Sequence, residues 1–411
     1  MEESGYWDVT LTALTYGGDA LGRLPDGRAV FVPLALPGER VRVQAVEEKR
    51  GHVRARLAEV LQPSPLRITP RCVHFGVCGG CHYQHLAYED QVVAKTGIVR
   101  EQLQRLAGLE DPPVLPALPD PRGWDYRNTV QFHLTGDGRV GYHKLGSNQT
   151  FAIQECHVLE EGLDAFWPQI DMQPLPGLDR VGLRLGAGDD VLMTLESEDT
   201  ELPEMTLDLP ISVVHLSPAG PILMAGDPFV VVDLLERPFR VSAGSFFQVN
   251  STQAARMVAQ VLDASNLTGQ ETVLDLYCGV GLFSAFLAPK AARLVGIESS
   301  PVACDDFAVN LNEFDHVELY QGRAEDILPH LDLRPDVIVA DPPRAGLAPA
   351  VVDALVKMAA PRLVYVSCDP ATLARDIRRL LAAGYNLERV QPIDMFPQTF
   401  HIESVVLLTK Q

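Results

Sequence analysis

The stretch Val273-Leu-Asp275-Leu-Tyr277-Cys-Gly279-Val-Gly281-Leu-Phe283 decides the fold. Its first four residues are an apolar run of the length of a buried strand. The two glycines permit a tight turn and let a ligand approach the backbone at a helix N-terminus. Further apolar runs follow: Leu294–Glu298, Val317–Tyr320, Val337–Ala340 and Leu363–Ser367. Segments of helical length and pattern lie between most of them. From Pro238 onward this grammar predicts an α/β domain, a doubly wound, Rossmann-like, mostly parallel sheet.

Glu298 closes the second run, 23 residues after Asp275 (298 − 275). A carboxylate there can accept hydrogen bonds from two ribose hydroxyls. A nicotinamide dinucleotide would want a third glycine three residues beyond Gly281, where Ser284 stands. The set of Asp275, Gly-x-Gly and Glu298 suits S-adenosylmethionine, which has no pyrophosphate to cradle. Upstream, Gln248 in Ser245-Phe-Phe-Gln-Val-Asn is either a contact to the methionine part of that cofactor or a residue that starts a helix.

Three segments near the end of the chain carry the chemistry: Asp341-Pro-Pro-Arg344, Ser367-Cys368-Asp-Pro370 and His401-Ile-Glu403-Ser. The first two follow predicted strands, and ligands of open α/β sheets bind at the carboxyl ends of strands. Glu403 must reach the same crevice from the start of an antiparallel edge strand. Cys368 precedes a predicted helix, whose N-terminus is expected to lower the thiol pKa. A thiolate that adds to carbon 6 of uracil makes carbon 5 nucleophilic, and a carboxylate then removes the carbon-5 proton. Cys368 fits the nucleophile, Glu403 the base, and Asp341 an anchor for polar groups of substrate or cofactor. Singly, each has a plainer reading: a buried small hydrophobe for Cys368 and a surface acid for Glu403. Arg344 stands where adenine-modifying enzymes carry an aromatic residue, and no Pro-Cys pair of the DNA cytosine type occurs on an earlier strand.

Residues 8–60 alternate short strands with the turns Gly17-Gly18-Asp19 and Pro25-Asp26-Gly27. They predict a small five-stranded barrel of oligonucleotide-binding type. Arg40, Arg42, Lys49, Arg50, Arg54 and Arg56 interleave with the strands, either to meet RNA or as a solvated surface. Residues 86–108 read as helical, and residues 122–240 as mostly β. Three domains result: 1–61, the barrel; 62–240, a β-rich centre; and 241–411, the catalytic unit, on which the helical segment 86–108 is expected to pack. In the centre, Trp124-Asp-Tyr126-Arg-Asn and Gln131-Phe132-His133 are either RNA contacts or ordinary core strands.

Seven cysteines argue against a complete disulfide framework. Cys72, Cys78 and Cys81 crowd together with Gly79-Gly80 between the last two, and Cys156 is the natural fourth. Four thiolates suit zinc or an iron–sulfur cluster, and spacing leaves both open. No apolar run reaches the ~18 residues of a membrane span, and the N-terminus has no secretory character. The chain is read as a cytoplasmic monomer with no membrane partner. Its net charge of −20 argues against a nucleic-acid partner. Yet residues 158–240 alone hold 4 basic and 16 acidic side chains, a balance of −12. The acid excess is a local face, read as turned away from any polyanion.

Taken together, the chain resembles the RNA uracil-5 (5-methyluridine) methyltransferase family, in its iron–sulfur branch acting on 23S rRNA. Tyr16-Gly-Gly-Asp-Ala-Leu-Gly resembles the TRAM domain. Phe247-Gln-Val-Asn, Asp275-Leu-Tyr-Cys-Gly-Val-Gly, Asp341-Pro-Pro-Arg-Ala-Gly, Val366-Ser-Cys-Asp-Pro and Phe396-Pro-Gln-Thr-x-His-Ile-Glu-Ser-Val follow in the family's order. The resemblance implies S-adenosylmethionine bound by Gln248, Tyr277, Glu298 and Asp341. It also implies Cys368 as nucleophile, Glu403 as proton acceptor, and a 4Fe–4S cluster on Cys72, Cys78, Cys81 and Cys156. Many members carry Asn before the Phe of the glycine motif, as a cofactor contact; here Leu282 takes that place. The same chemistry on a tRNA uridine, or an RNA-binding assembly factor without catalysis, are the alternatives.

Overall fold

A computed structural model describes residues 6–170, 172, 177–202 and 210–410. Five strands open the chain: β1 (Tyr6–Leu14), β2 (Ala20–Arg23), β3 (Ala29–Val32), β4 (Arg40–Glu48) and β5 (His52–Gln62). They close into a barrel in the order β1-β2-β3-β5-β4. Alternation of polar and apolar residues makes this possible: Val9, Leu11, Val30, Val32, Val41, Val43 and Val53 point inward as one core. Several barrel cations face the barrel's own acids. Arg42 meets Asp8 at 2.9 Å and Lys49 meets Glu47 at 3.0 Å.

After the cysteine loop, helix α1 (Tyr88–Gln102) runs on through a further helical turn and stops at Gly108, which takes the left-handed conformation. Its Ile98, Val99 and Leu103 share a core with Leu274, Ile338 and Val406 of the C-terminal sheet. Lys95 is fully buried and pairs with equally buried Asp394 at 2.5 Å.

The central sheet uses β6 (Thr129–Leu134), β7 (Val140–His143), β8 (Thr150–Ala152), β9 (Leu178–Leu185), β10 (Val191–Ser197), β11 (Ser212–Ser217) and β12 (Gly220–Ala225). Helix α2 (Glu161–Phe166) lies between β8 and β9 in sequence. The sheet order is β12-β11-β10-β9-β6-β7-β8, antiparallel except for the pair β10–β11. Tyr126 and Phe132 are wholly buried here, so neither ring is free to stack on a base. The hairpin of β13 (Phe229–Leu234) and β14 (Arg237–Ser242) packs Val232, Phe239 and Val241 into the core of the C-terminal unit.

That unit begins with α3 (Ser251–Ser265), capped by the Asn250 side chain on the Gln253 amide. There follow β15 (Thr272–Leu276), α4 (Leu282–Leu287), β16 (Arg293–Glu298), α5 (Pro301–Asn310), β17 (Val317–Gln321), α6 (Ala324–Ile327), β18 (Val337–Ala340), α7 (Pro349–Met358), β19 (Arg362–Ser367), α8 (Pro370–Ala382), β20 (Asn386–Ile393) and β21 (Glu403–Thr409). The sheet runs β17-β16-β15-β18-β19-β21-β20. The first five strands are parallel, and β21 is antiparallel to both its neighbours. The order reverses between β15 and β18, which opens a crevice at their carboxyl ends. One expectation needs correcting. Glu403 starts an antiparallel strand, but β21 lies inside the sheet and β20 forms the edge. The hydrophobic run of β21 packs on both faces, which an edge position would not require.

Candidate active site

The register of the sheet assembles the site. Leu276 pairs with Ala340, Ala340 with Tyr365, and Ser367 with Ser404. Asp341 and Cys368 each stand one residue past a strand end, and Glu403 starts the strand that runs back between them and the edge. Cys368 sits between Ser367 and the helix-capping Asp369, whose Oδ1 accepts from the amides of Ala371 and Thr372 at 2.9 and 2.8 Å.

The electrostatics differ from the expected low thiol pKa. Burial, then the carboxylates Glu403, Asp341 and Asp369, push the Cys368 thiol up to about 12 against the Arg344 guanidinium. A single helix N-terminus is outweighed by three nearby acids in a desolvated crevice. Burial likewise raises Glu403 to about 7, with Arg344 pulling the other way. Asp341 is driven well above the usual carboxylate range by burial, then by Glu403 and Asp275. Arg344 is the cation that opposes these acids. Its guanidinium lies 3.2 Å from His401 Nδ1, and burial keeps that imidazole neutral, with its pKa pushed down to about 3.

The neighbouring turn fits a cofactor. Tyr277 takes a positive φ of 62° and Gly281 one of 92°. A Cβ at Gly281 would lie 2.3 Å from Leu311 Cδ1 and 3.0 Å from the Phe307 ring, and the positive φ adds strain for any side chain there. The amide of Gly279 donates to Glu298 Oε2 at 3.0 Å, and those of Ser299 and Ser300 donate to Oε1. Asp275 Oδ2 accepts from Ser284 Oγ at 2.6 Å, while Asp275 Oδ1 is buried and meets no hydrogen-bond partner among the described residues. Burial lifts this carboxyl to about 7. An orphaned buried acceptor beside a glycine turn suits the ammonium group of an amino-acid cofactor. Gln248 is buried just upstream, its carbonyl receiving the Asn128 amide group at 3.1 Å. Leu282 packs into the apolar core.

Two residues outside the expected set also stand at the site. Arg344 is visible in the sequence only as a departure from another enzyme type. Tyr16 lies 353 residues from Asp369, yet its hydroxyl donates to Asp369 Oδ2 at 2.9 Å. No local signal announces a contact across that separation.

Cys72, Cys78, Cys81 and Cys156 all line one cavity of about 530 Å³ between the cysteine loop, the central sheet and the 243–249 segment. Burial raises every one of these thiols, Cys81 to about 12. Among the described residues no three His, Cys, Asp or Glu side chains gather closely enough to hold a metal ion. The cysteines share a cavity without forming a closed ligand shell. His82 and His85 do not line that cavity, and His82 packs against Phe400 with ring centroids 4.6 Å apart.

A sheet of this order with a glycine turn after its first strand is the fold of S-adenosylmethionine-dependent methyltransferases. Known proteins narrow that class. The family described as tRNA (Uracil-5-)-methyltransferase matches residues 229–411, and the TRAM domain matches residues 6–58. An uncharacterized RNA methyltransferase of Thermosynechococcus vestitus is 34% identical, over 98% of this chain and 97% of its own. One from Gloeobacter violaceus is 36% identical, over 98% and 96%. The solved tRNA (uracil-54, C5)-methyltransferase of Pyrococcus abyssi, bound to S-adenosyl-L-homocysteine, is 27% identical. It superposes with a TM-score of 0.74, covering 98% of this chain and 100% of its own. The chain belongs to the TRAM-containing family of S-adenosylmethionine-dependent RNA uracil-5 methyltransferases.

Proposed function

We propose that this enzyme methylates carbon 5 of a uridine in 23S rRNA, with Cys368 as covalent nucleophile and Glu403 as the base. The meeting of Cys368, Glu403 and Asp341 at adjoining strand ends carries the reading. The Cys368 thiol gives its proton to water as its sulfur adds to carbon 6 of the uracil, and the ring's electrons make carbon 5 a nucleophile. S-adenosylmethionine, when bound, supplies an electrophilic methyl group and a positive charge. Glu403 takes the proton from the methylated carbon 5, the ring double bond re-forms, and the Cys368 sulfur leaves. A carboxyl with a pKa of about 7 suits a base at neutral pH. Gln248, Tyr277, Glu298 and Asp341 are the side chains proposed to hold the cofactor. Burial, together with Glu403, Asp341 and Asp369, keeps the resting Cys368 thiol protonated.

The cysteine cavity is read as the seat of a 4Fe–4S cluster. A zinc ion draws four sulfurs to about 2.3 Å from one point. Four thiols lining one cavity can give each iron of such a cluster its own cysteine. Its role is structural, since the covalent route needs no electron transfer. Anaerobic purification should yield about four irons and four sulfides per chain; one zinc and no iron would reverse the assignment. The enzyme is further read as a cytoplasmic monomer, which light scattering tests in its second part.

A tRNA uridine is the second reading, favoured by the match to the Pyrococcus abyssi enzyme over the whole chain. Mapping 5-methyluridine at nucleotide resolution in 23S rRNA and tRNA, from cells with and without the gene, separates the two. Loss of a 23S rRNA mark supports the first reading. Loss confined to tRNA sinks it.

A further inference from the structure

We propose that Tyr16, carried by the N-terminal barrel, is a positioning residue for methyl transfer, holding the Cys368 loop through its hydrogen bond to Asp369. The inference rests on the reading of Cys368 as nucleophile.

Tyr16 sits in a tight turn after β1. Thr15 and Asp19 pair across it, with the Thr15 amide donating to the Asp19 carbonyl at 2.9 Å and the Gly18 amide to the Thr15 carbonyl at 3.1 Å. Gly18 has a φ of +92°, and a Cβ there would lie 3.2 Å from the Phe400 ring. The turn is therefore built to press against the segment that leads to Glu403. Tyr16 itself meets Phe400 edge-on, with ring centroids 6.0 Å apart. Its hydroxyl donates to Asp369 Oδ2 at 2.9 Å, while Asp369 Oδ1 caps α8 through two amides. Asp369 also donates its amide to Ser367 Oγ at 3.3 Å. Cys368 is thus bracketed by two residues that are tied to each other, and the outer face of that bracket is fastened to the barrel.

The contact has an electrostatic side as well as a mechanical one. Cys368 faces Glu403, Asp341 and Asp369 on the acidic side and Arg344 on the basic side. A phenol O–H donated to Asp369 takes up part of that carboxylate's charge, leaving less of it to oppose a thiolate next door. Burial and Asp369 both push the Tyr16 phenol upward, so it stays a donor across the working pH range. Among the described residues, Asp369 is the acid beside the nucleophile that a barrel side chain meets by a hydrogen bond.

The test follows the rate at which iodoacetamide alkylates Cys368 in the full-length protein, read by peptide mass spectrometry from pH 7 to 10. Y16F should raise the apparent Cys368 pKa by about half to one unit, slowing alkylation about three- to tenfold at a fixed pH. kcat should fall by a similar factor, with KM for S-adenosylmethionine unchanged. D369N should speed alkylation, and adding Y16F to it should change nothing further. An unmoved Cys368 profile in Y16F or in D369N overturns the proposal. So does an equal Y16F effect in the D369N background. The reading of the reaction fails separately, by C368A retaining methylation, because alkylation rates do not depend on turnover.

Discussion

Ser367 and Ser404 are antiparallel partners across β19 and β21, and this one register brings Cys368 to the side of Glu403. A shift of one residue would turn Glu403 to the opposite face of the sheet. The proposed catalytic pairing is thus set by backbone hydrogen bonds in a buried sheet rather than by a mobile loop.

C368A should abolish methylation while cofactor affinity stays within about tenfold, since the proposed mechanism sets the thiol against the base and not the methionine. Incubation with fluorouracil-containing RNA should give a denaturation-resistant adduct with the wild type and none with C368A. A C368A protein that still forms the adduct would remove the nucleophile from this position.

E403Q should release product slowly and accumulate a covalent RNA–enzyme species. The same residue predicts a pH effect. Its folded pKa of about 7 lies above the ordinary 4.5, because burial penalises the charge. The folded state therefore holds this proton more tightly than the unfolded chain. The stability this contributes is complete below about 4.5 and is lost as pH rises through about 7, by at most about 3 kcal/mol. Activity runs the other way, rising with pH through about 7 as the base ionises. Denaturation series from pH 4.5 to 7.5 should show a smaller decline in E403Q; identical slopes would mean Glu403 is not the buried acid inferred here.

Gln398 carries a positive φ of 68° while almost wholly buried. Its side chain accepts from Gln91 at 2.9 Å and donates to the Gly123 carbonyl at 3.1 Å, and its carbonyl takes the amides of His82 and Tyr83. These bonds hold a conformation that side chains disfavour. Q398A should cost about 2–3 kcal/mol, by losing the side-chain bonds while keeping the strain. Q398G should cost about 1 kcal/mol less, because glycine accepts the backbone geometry. Chemical denaturation distinguishes them, and Q398G equal to or worse than Q398A would show that strain is not stored here.

Lys95 and Asp394 form a fully buried ion pair joining α1 to the end of the sheet. K95M should destabilise by about 3–5 kcal/mol, because Asp394 is left charged and unpaired. The double variant K95M/D394N should recover part of that loss. A double variant less stable than K95M would mean the pair is held mainly by packing.

Much of the site was legible because its pieces are local. A strand, a turn and a helix start are each encoded within about ten residues. Asp341 and Cys368 therefore announced themselves as strand-end residues, and the five-stranded barrel followed from alternation and turns. The errors have physical causes. The helix start beside Cys368 suggested an acidified thiol, but Glu403 and Asp341 arrive from other strands and reverse the balance. Tyr126 and Phe132 looked equally suited to RNA and to a core, and their burial shows the core to be their place.

By itself, the sequence determined the order of elements and the chemical types set at their ends, since backbone propensity and hydrophobic period are short-range properties. Only the tertiary structure decided that β21 is interior, that Tyr16 reaches Asp369, and that Glu403 titrates near neutrality. Each of these depends on segments beyond the reach of local pattern, separated by 353 residues for Tyr16 and Asp369, and desolvation is a sum over the packed molecule that no local stretch contains.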